Sequence, residues 1–263
     1  MSATSEDLAL ALELADLADS ITLPRFRAAD LVVETKPDLT PVTEADTAVE
    51  RAVRARLAEM RPGDAVVGEE YGDSGDSGGG RRWIIDPIDG TKNYVRGIPV
   101  WGTLLALQGP DQAAIGVVSA PALGRRWWAS AGAGAFGTDG LAEEPRRLRV
   151  SAVRALSDAQ LCVSGFDGWE EHGRLDALLE LARRCWRTRG FGDFWTYMMI
   201  AEGVAEVGCE PVVSLWDLAA PQVIVEEAGG TFTDLAGVRT AAGGDALATN
   251  GLLHEQALAL VGR

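Results

Sequence analysis

The sequence predicts an α+β protein in which helices and sheets are stacked as layers, and three observations predict it. Apolar residues fill 47% of the 263 positions, the proportion of a chain that buries a full core. Two N-terminal segments carry apolar residues at helical spacing. Strand-like runs then cluster between residues 82 and 164, joined by short Gly- or Pro-containing turns, and the remainder alternates helix with strand.

Leu10, Leu14, Leu17 and Ile21 recur at spacings of four, three and four, which predicts an amphipathic first helix with Pro24 near its end. A second helix starts at Thr43, where Thr43-x-x-Asp46 has the form of a capping box with Asp in the usual Glu/Gln place. Its apolar stripe is Val49, Val53, Leu57 and Met60, and Arg61-Pro62-Gly63 stops it. Ala65–Gly68 reads as a strand that runs into Glu69 and Glu70. Residues 72–80, rich in Gly, Ser and Asp, read as a flexible loop.

The strand Arg82–Ile85 ends at Asp86. Further strands are expected at 100–108, 113–119, 125–130 and 160–164, together forming an antiparallel sheet. Within 125–130, alternation sends one ring of Trp127-Trp128 into the core and the other to a rim. Helices follow near 170–186, 194–202, 217–228 and 252–262, with strands at 204–209, 231–233 and 246–249. Pro221 puts the regularity of the third of these helices in question. No linker divides the chain, so residues 1–263 are expected to form one domain, with halves meeting near 150.

Charge narrows the function. The chain has 24 Lys+Arg against 39 Asp+Glu, a net charge of −15, which argues against nucleic acid or an anionic membrane surface as partner. No apolar run reaches the roughly 18 residues of a membrane span. The acidic start, with Glu6, Asp7, Glu13 and Asp16, lacks a signal-peptide pattern. Cys162, Cys185 and Cys209 form no CxxC pair and read as reduced thiols, so a cytoplasmic protein is expected. The acid excess has two readings: a solvated skin, or carboxylates converging on metal cations.

Three acidic clusters sit where a strand ends or a helix begins: Gly68-Glu69-Glu70, Asp86-Pro87-Ile88-Asp89-Gly90-Thr91 and Trp216-Asp217. Two like charges 4 Å apart repel by about 4 kcal/mol at an effective dielectric of 20, and a hard divalent cation removes that cost. Taken singly, Glu69 or Asp217 reads as an ordinary surface acid. The middle cluster reads otherwise, because Pro87 stiffens the turn and lets both carboxylates and the carbonyl between them face one point. Gly90 lets the backbone approach a ligand, and Thr91 offers a hydroxyl at a possible helix start.

At these residues the chain resembles the inositol monophosphatase family. Trp83-Ile-Ile-Asp-Pro-Ile-Asp-Gly-Thr91, followed by Asn93-Tyr94, is similar to its first signature. Trp216-Asp-Leu-Ala-Ala, with Glu227-Ala-Gly-Gly230 closing the helix, is similar to its second. The resemblance implies a five-layered α/β/α/β/α sandwich of the inositol monophosphatase and fructose-1,6-bisphosphatase type. It also implies a lithium-sensitive, Mg²⁺-dependent phosphomonoesterase that dimerises. By position, Glu69, Asp86, Asp89 and Asp217 match metal ligands, the Ile88 carbonyl completes one site, and Asp46 matches the acid that helps hold a third, weaker ion. Two or three Mg²⁺ are therefore implied. Gly90 and Thr91 match the residues that hold the phosphate and help position the attacking water; Glu69 and Thr91 are expected to activate that water, and Asp46 is counted with them as catalytic through the third ion. His172 and His254 lie outside every motif and read as surface or structural.

The substrate's alcohol is read from other positions. Glu210 matches the family acid that contacts the organic part of the substrate, with Pro211 beside it as a departure. Asp193 stands where inositol-specific members carry a small or hydroxyl residue, and a carboxylate there favours a cationic alcohol. As a plain structural element, Asp193 would cap the helix that begins at Phe194. The segments Arg189-x-x-Gly-Asp193-Phe-Trp, Ser119 to Trp128, and Lys92-Asn93-Tyr94-Val-Arg96-Gly resemble the actinobacterial branch that hydrolyses histidinol phosphate. Asn93 and Arg189 are then further expected contacts. Arg125 and Arg126 stand out as residues that could reach a neighbouring subunit.

Overall fold

The computed structural model describes residues 4–37, 39–75, 80–109, 113–140, 142 and 144–262. Helix α1 (Ser5–Arg25) starts at Thr4, whose hydroxyl accepts from Asp7 N while the Asp7 carboxylate accepts from Thr4 N. A short hairpin of β1 (Val33–Thr35) and β2 (Pro41–Thr43), unforeseen in the sequence, leads into α2 (Glu44–Met60). The expected Thr43–Asp46 capping box opens α2.

Next, β3 (Ala65–Gly68) turns directly into β4 (Gly72–Ser74), an antiparallel edge strand. Residues 72–74 are thus ladder rather than loop, and 76–79 of the expected flexible segment lie outside the described residues. β5 (Arg82–Asp89) pairs in parallel with β3, and α3 (Thr91–Val95) follows it. An antiparallel meander then runs through β6 (Gly102–Gln108), β7 (Ala113–Ala120), β8 (Arg125–Ser130), β9 (Gly134–Thr138) and β10 (Arg146–Arg147). The first sheet has the order β10-β9-β8-β7-β6-β5-β3-β4.

The C-terminal half contributes β11 (Gln160–Cys162), α4 (Asp167–Glu171), α5 (Leu175–Arg184), β12 (Arg187–Arg189) and α6 (Asp193–Ala201). β13 (Val207–Glu210), α7 (Leu215–Glu227), β14 (Thr231–Thr233), β15 (Ala246–Thr249) and α8 (His254–Val261) complete it. The second sheet has the order β12-β11-β13-β15-β14. β11 corrects the sequence expectation: it pairs in parallel with β12 and β13 and takes no part in the antiparallel meander. Local pattern specifies a strand but not its partner, which here lies dozens of residues downstream. The single helix expected at 170–186 is two, separated around Gly173, whose φ is +65°. α7 runs on through Pro221.

Three apolar clusters separate the layers. α1 and α2 cover one face of the first sheet through Leu14, Val53, Trp83 and Ile85. α6 and α7 fill the space between the sheets with Phe194, Met198, Val223 and Ile224, meeting Ile84 and Leu104 from the other face of the first sheet. Leu178 of α5 and Ala257 of α8 close the outer face of the second sheet over Leu161 and Val207. Along β5 the alternation is direct, Trp83 and Ile85 facing one helix pair and Ile84 the other. The layers are therefore α/β/α/β/α. Trp127 is fully buried and Trp128 only partly, stacked on Phe136. His254 is wedged between Thr233 and Thr249, and His172 bonds its own helix's Gly168 carbonyl, so both are structural. No helix among the described residues is long and apolar enough to cross a membrane.

Candidate active site

Asp86 and Asp89 lie three residues apart on β5, and in a regular strand they would face opposite sides of the sheet. The pairing with β6 shifts between them: Asp86 stands opposite Leu104 and Asp89 opposite Gly102, so one extra residue is inserted. Pro87, which has no N–H for the ladder, sits in this bulge, and its carbonyl accepts from Thr103 Oγ1 at 2.7 Å. The strand thus continues to Asp89 instead of ending at Asp86, and the bulge replaces the expected turn. It brings both carboxylates to one side. Asp217 meets them from the first turn of α7, where its Oδ2 accepts from Ser214 N at 2.8 Å. One oxygen from each of Asp86, Asp89 and Asp217 lies within 4.8 Å of the others.

Asp86 and Asp89 are buried, to 1% and 7% exposure, and Asp217 is half-buried. Burial, and then the charges of Glu69, Asp89 and Asp217, push the Asp86 carboxyl well above the usual carboxylate range. Burial and then Asp193 do the same to Asp89. Asp217 is pushed up to about 6, chiefly by burial. Asp86 Oδ1 has no hydrogen-bond partner among the described residues. A buried, orphaned carboxylate oxygen facing two further carboxylates is a hard oxygen donor set with nothing to satisfy it, and a divalent cation such as Mg²⁺ fits it.

Glu69 stands at the cavity wall but outside that set of three. Its Oε1 accepts from Lys36 Nζ at 2.7 Å, and Glu70 Oε1 accepts from the same ammonium at 2.7 Å. Burial nevertheless raises Glu70 to about 7. The turn carrying both acids is braced by Glu50 of α2, whose Oε2 accepts from Glu70 N at 2.7 Å and Oε1 from Tyr71 N at 3.1 Å. Arg54, one turn along α2, holds Glu50 in place. Sequence reasoning missed Glu50, which looks like any polar helix residue. Lys36 had a weak signal, being one of only two lysines.

Asp46 does two jobs. Its Oδ2 caps α2 through Thr43, while Oδ1 accepts from Thr91 Oγ1 at 3.3 Å. The Thr91 hydroxyl also reaches the Ile88 carbonyl at 2.8 Å. Asp46 is pushed up to about 6, mainly by burial. Gly90, between Asp89 and Thr91, has φ +82°, and its carbonyl accepts from the amides of Asn93 and Tyr94 at the start of α3.

A cavity of about 550 Å³ opens onto these groups and onto Asn93, and continues toward the C-terminal half, where Ser164, Asp193, Tyr197 and Glu210 line it. Asn93 Nδ2 donates to the Val100 carbonyl at 2.8 Å and lies 3.4 Å from Asp193 Oδ2. Asp193 is no helix cap. Gly192 holds that position with no side-chain cap, and the amide of Phe194 donates instead to Asp89 Oδ2 at 2.5 Å. Asp193 itself has φ +52°, an unusual conformation for a residue with a side chain, and burial raises it to about 6. Glu210 ends β13, accepts from Ser164 Oγ and is raised to about 8 by burial.

Arg189 is a correction. It does not line the cavity: on β12 it faces solvent beside Arg187, two residues away, and its guanidinium bonds the Thr188 carbonyl at 2.7 Å. Period-two alternation on this edge strand carries it away from the site. Arg125 and Arg126 are engaged within the chain, with Glu202 and with Asp16 and Asp19. Ser164 and Tyr197 were not foreseen, although Tyr197 lies one helical turn after Asp193, a spacing that places both on one face of α6.

Comparison with known proteins agrees with this geometry. The family model for the inositol monophosphatase family matches residues 4–263. A histidinol-phosphatase from Streptomyces coelicolor is 56% identical over 257 residues, covering 96% of each chain. One from Mycobacterium tuberculosis is 54% identical over 254 residues, again covering 96% of each. Among solved structures, an inositol monophosphatase from Zymomonas mobilis is 30% identical with a TM-score of 0.85, covering 99% of both chains. The extragenic suppressor protein SuhB of Bartonella henselae is 27% identical with a TM-score of 0.89, covering 98% of both. A bulged Asp-Pro-Ile-Asp strand facing a capped Trp-Asp helix across one acidic cavity, with this similarity along the whole chain, places the protein in the inositol monophosphatase family.

Proposed function

We propose that this chain is a Mg²⁺-dependent phosphomonoesterase that hydrolyses histidinol phosphate to histidinol and phosphate. The observation that carries the reading is the convergence of Asp86, Asp89 and Asp217, with one Asp86 oxygen unpartnered, in a cavity that holds two more carboxylates, Asp193 beside Gly90 and Glu210 at the end of β13. Asp86, Asp89 and Asp217 would hold one ion, Glu69 and the Ile88 carbonyl would join Asp86 around a second, and Asp46 would assist a third. Bound there, Mg²⁺ supplies charge neutralisation for the phosphate and the leaving alkoxide and lowers the pKa of a bound water.

The chain's own residues do the positioning. Thr91 Oγ1, held between the Ile88 carbonyl and Asp46 Oδ1, orients the attacking water and passes a proton toward Asp46. Gly90, whose φ of +82° and close neighbours Val100, Asp193 and Asn93 leave no place for a side chain, offers its backbone to the phosphate beside the start of α3. Lys92 at the same wall adds positive charge for the anion. From the C-terminal half, Asp193, whose carboxylate lies beside Gly90 and Asn93, and Glu210 meet the organic part. Histidinol carries an ammonium and an imidazole, and two buried carboxylates select a cationic alcohol over a neutral polyol. The identity of more than half with the two actinobacterial histidinol-phosphatases supports the same substrate.

The test is a substrate panel with Mg²⁺: histidinol phosphate, inositol 1-phosphate, fructose 1,6-bisphosphate and adenosine 3′,5′-bisphosphate. Histidinol phosphate is expected to show the highest kcat/KM. A clear preference for inositol 1-phosphate would overturn the substrate and leave the phosphatase chemistry standing.

A further inference from the structure

Tyr197 carries a polar atom that the fold leaves without a partner. The residue is 1% exposed, lies on α6, lines the cavity, and its ring packs on Phe232 with centroids 5.5 Å apart. Its hydroxyl makes no hydrogen bond among the described residues. Buried hydroxyls are normally paired, because an unpaired one costs its desolvation with no return. The carboxylates of Glu210, Asp217 and Asp89 lie near it, yet none comes within hydrogen-bond reach of the hydroxyl. A tyrosine kept only for packing would be served as well by phenylalanine.

We propose that Tyr197 is a specificity-determining residue whose hydroxyl oxygen accepts an N–H from the cationic organic part of the substrate, beside Glu210 and Asp193. The proposal rests on the substrate reading above. Burial, and then the nearby carboxylates of Glu210, Asp217 and Asp89, keep the phenol protonated, and those carboxylates favour a positively charged donor next to it. They also explain why the contact discriminates. An inositol or simple aryl ester brings no cationic N–H to this wall and gains nothing from the hydroxyl. Its phosphate end is held at Gly90 and Thr91, in the other half of the chain.

Tyr197→Phe tests this without disturbing the fold, since it removes no bond the protein makes. Its melting temperature, measured in EDTA, is expected to equal or exceed that of the wild type. With Mg²⁺, kcat/KM for histidinol phosphate should fall by about tenfold to a hundredfold, the span of a lost hydrogen bond to a charged group, mostly through KM. Activity on p-nitrophenyl phosphate and inositol 1-phosphate should stay within about twofold, and calorimetric affinity for histidinol should drop in parallel with the main loss. Equal losses on all three esters would overturn the proposal by placing Tyr197 in the common phosphate machinery. No loss on any ester would overturn it by leaving the hydroxyl to an ordered water. A wild type that hydrolyses inositol 1-phosphate but not histidinol phosphate would overturn the substrate reading and this contact with it, whereas failure in the variant alone removes only the contact.

Discussion

A Cβ at Gly68 would overlap the carboxylate of Glu50. The last residue of β3 is therefore glycine so that a buried carboxylate from α2 can reach over it and bind the amides of residues 70 and 71. Glu69 owes its place at the cavity wall to that brace.

Gly68→Ala should expel Glu50 from its seat and strand it beside Arg54. We expect a loss of about 2–4 kcal/mol by urea unfolding, the range for breaking a buried charged network, together with weaker Mg²⁺ activation. Wild-type stability would show that Glu50 has an equally good alternative position.

Asp217→Asn should separate fold from function. Asn can still accept from Ser214 N, so the helix start survives, while one of the three converging charges is gone. The metal-free variant should be at least as stable as the wild type, and the rise in melting temperature on adding Mg²⁺ should shrink. Turnover should fall by at least about a hundredfold. Near wild-type turnover would remove Asp217 from the site.

Stability without metal should fall as pH rises. Asp46 and Asp217 are raised to about 6, Glu70 to about 7 and Glu210 to about 8, each mainly by burial. In the unfolded chain these groups titrate near 4, so above that pH the folded form holds more protons than the unfolded one. Their contribution is full below the unfolded values and is lost as pH passes through the folded ones. In EDTA the melting temperature should drop by about 5 °C between about pH 5 and about pH 8, and Mg²⁺ should remove most of the slope. An EDTA profile that rises over this window would contradict the buried-acid account.

Asp193→Asn keeps a side chain that tolerates the φ of +52° and removes only the charge. It should raise KM for histidinol phosphate by about tenfold and leave inositol 1-phosphate within about twofold. Parallel changes on both substrates would assign Asp193 to the shared machinery.

Arg189→Ala should leave kcat and KM for histidinol phosphate within about twofold, because its guanidinium faces away from the cavity. A large rise in KM would return it to the substrate-binding set.

The sequence by itself determined what is local. Capping chemistry at Thr43, apolar spacing along α1 and α2, and the pattern of β8, β14 and β15 are all set by neighbouring residues, and the structure places those elements there. Asp86 and Asp89 were legible from their own cluster, whereas Glu69 and Asp217, ordinary surface acids when taken singly, stood out only through the resemblance to a family's signatures. Tertiary structure alone decided what depends on pairing across the chain. β11 joins the parallel strands of the second sheet, since a strand's pattern says which face is apolar and not which edge accepts it. The bulge at Pro87 appears only when β6 fixes the register, and it is what turns Asp86 and Asp89 to one side. Asp89 serves the amide of Phe194, 105 residues away, and Glu50 reaches over Gly68 to hold the Glu69 turn. Arg189 and Tyr197 both lie near the motif in sequence, yet an edge strand faces one to solvent and a helix seats the other in the cavity wall. Such contacts have no local signature because the sequence between the partners is spent building the layers that bring them together.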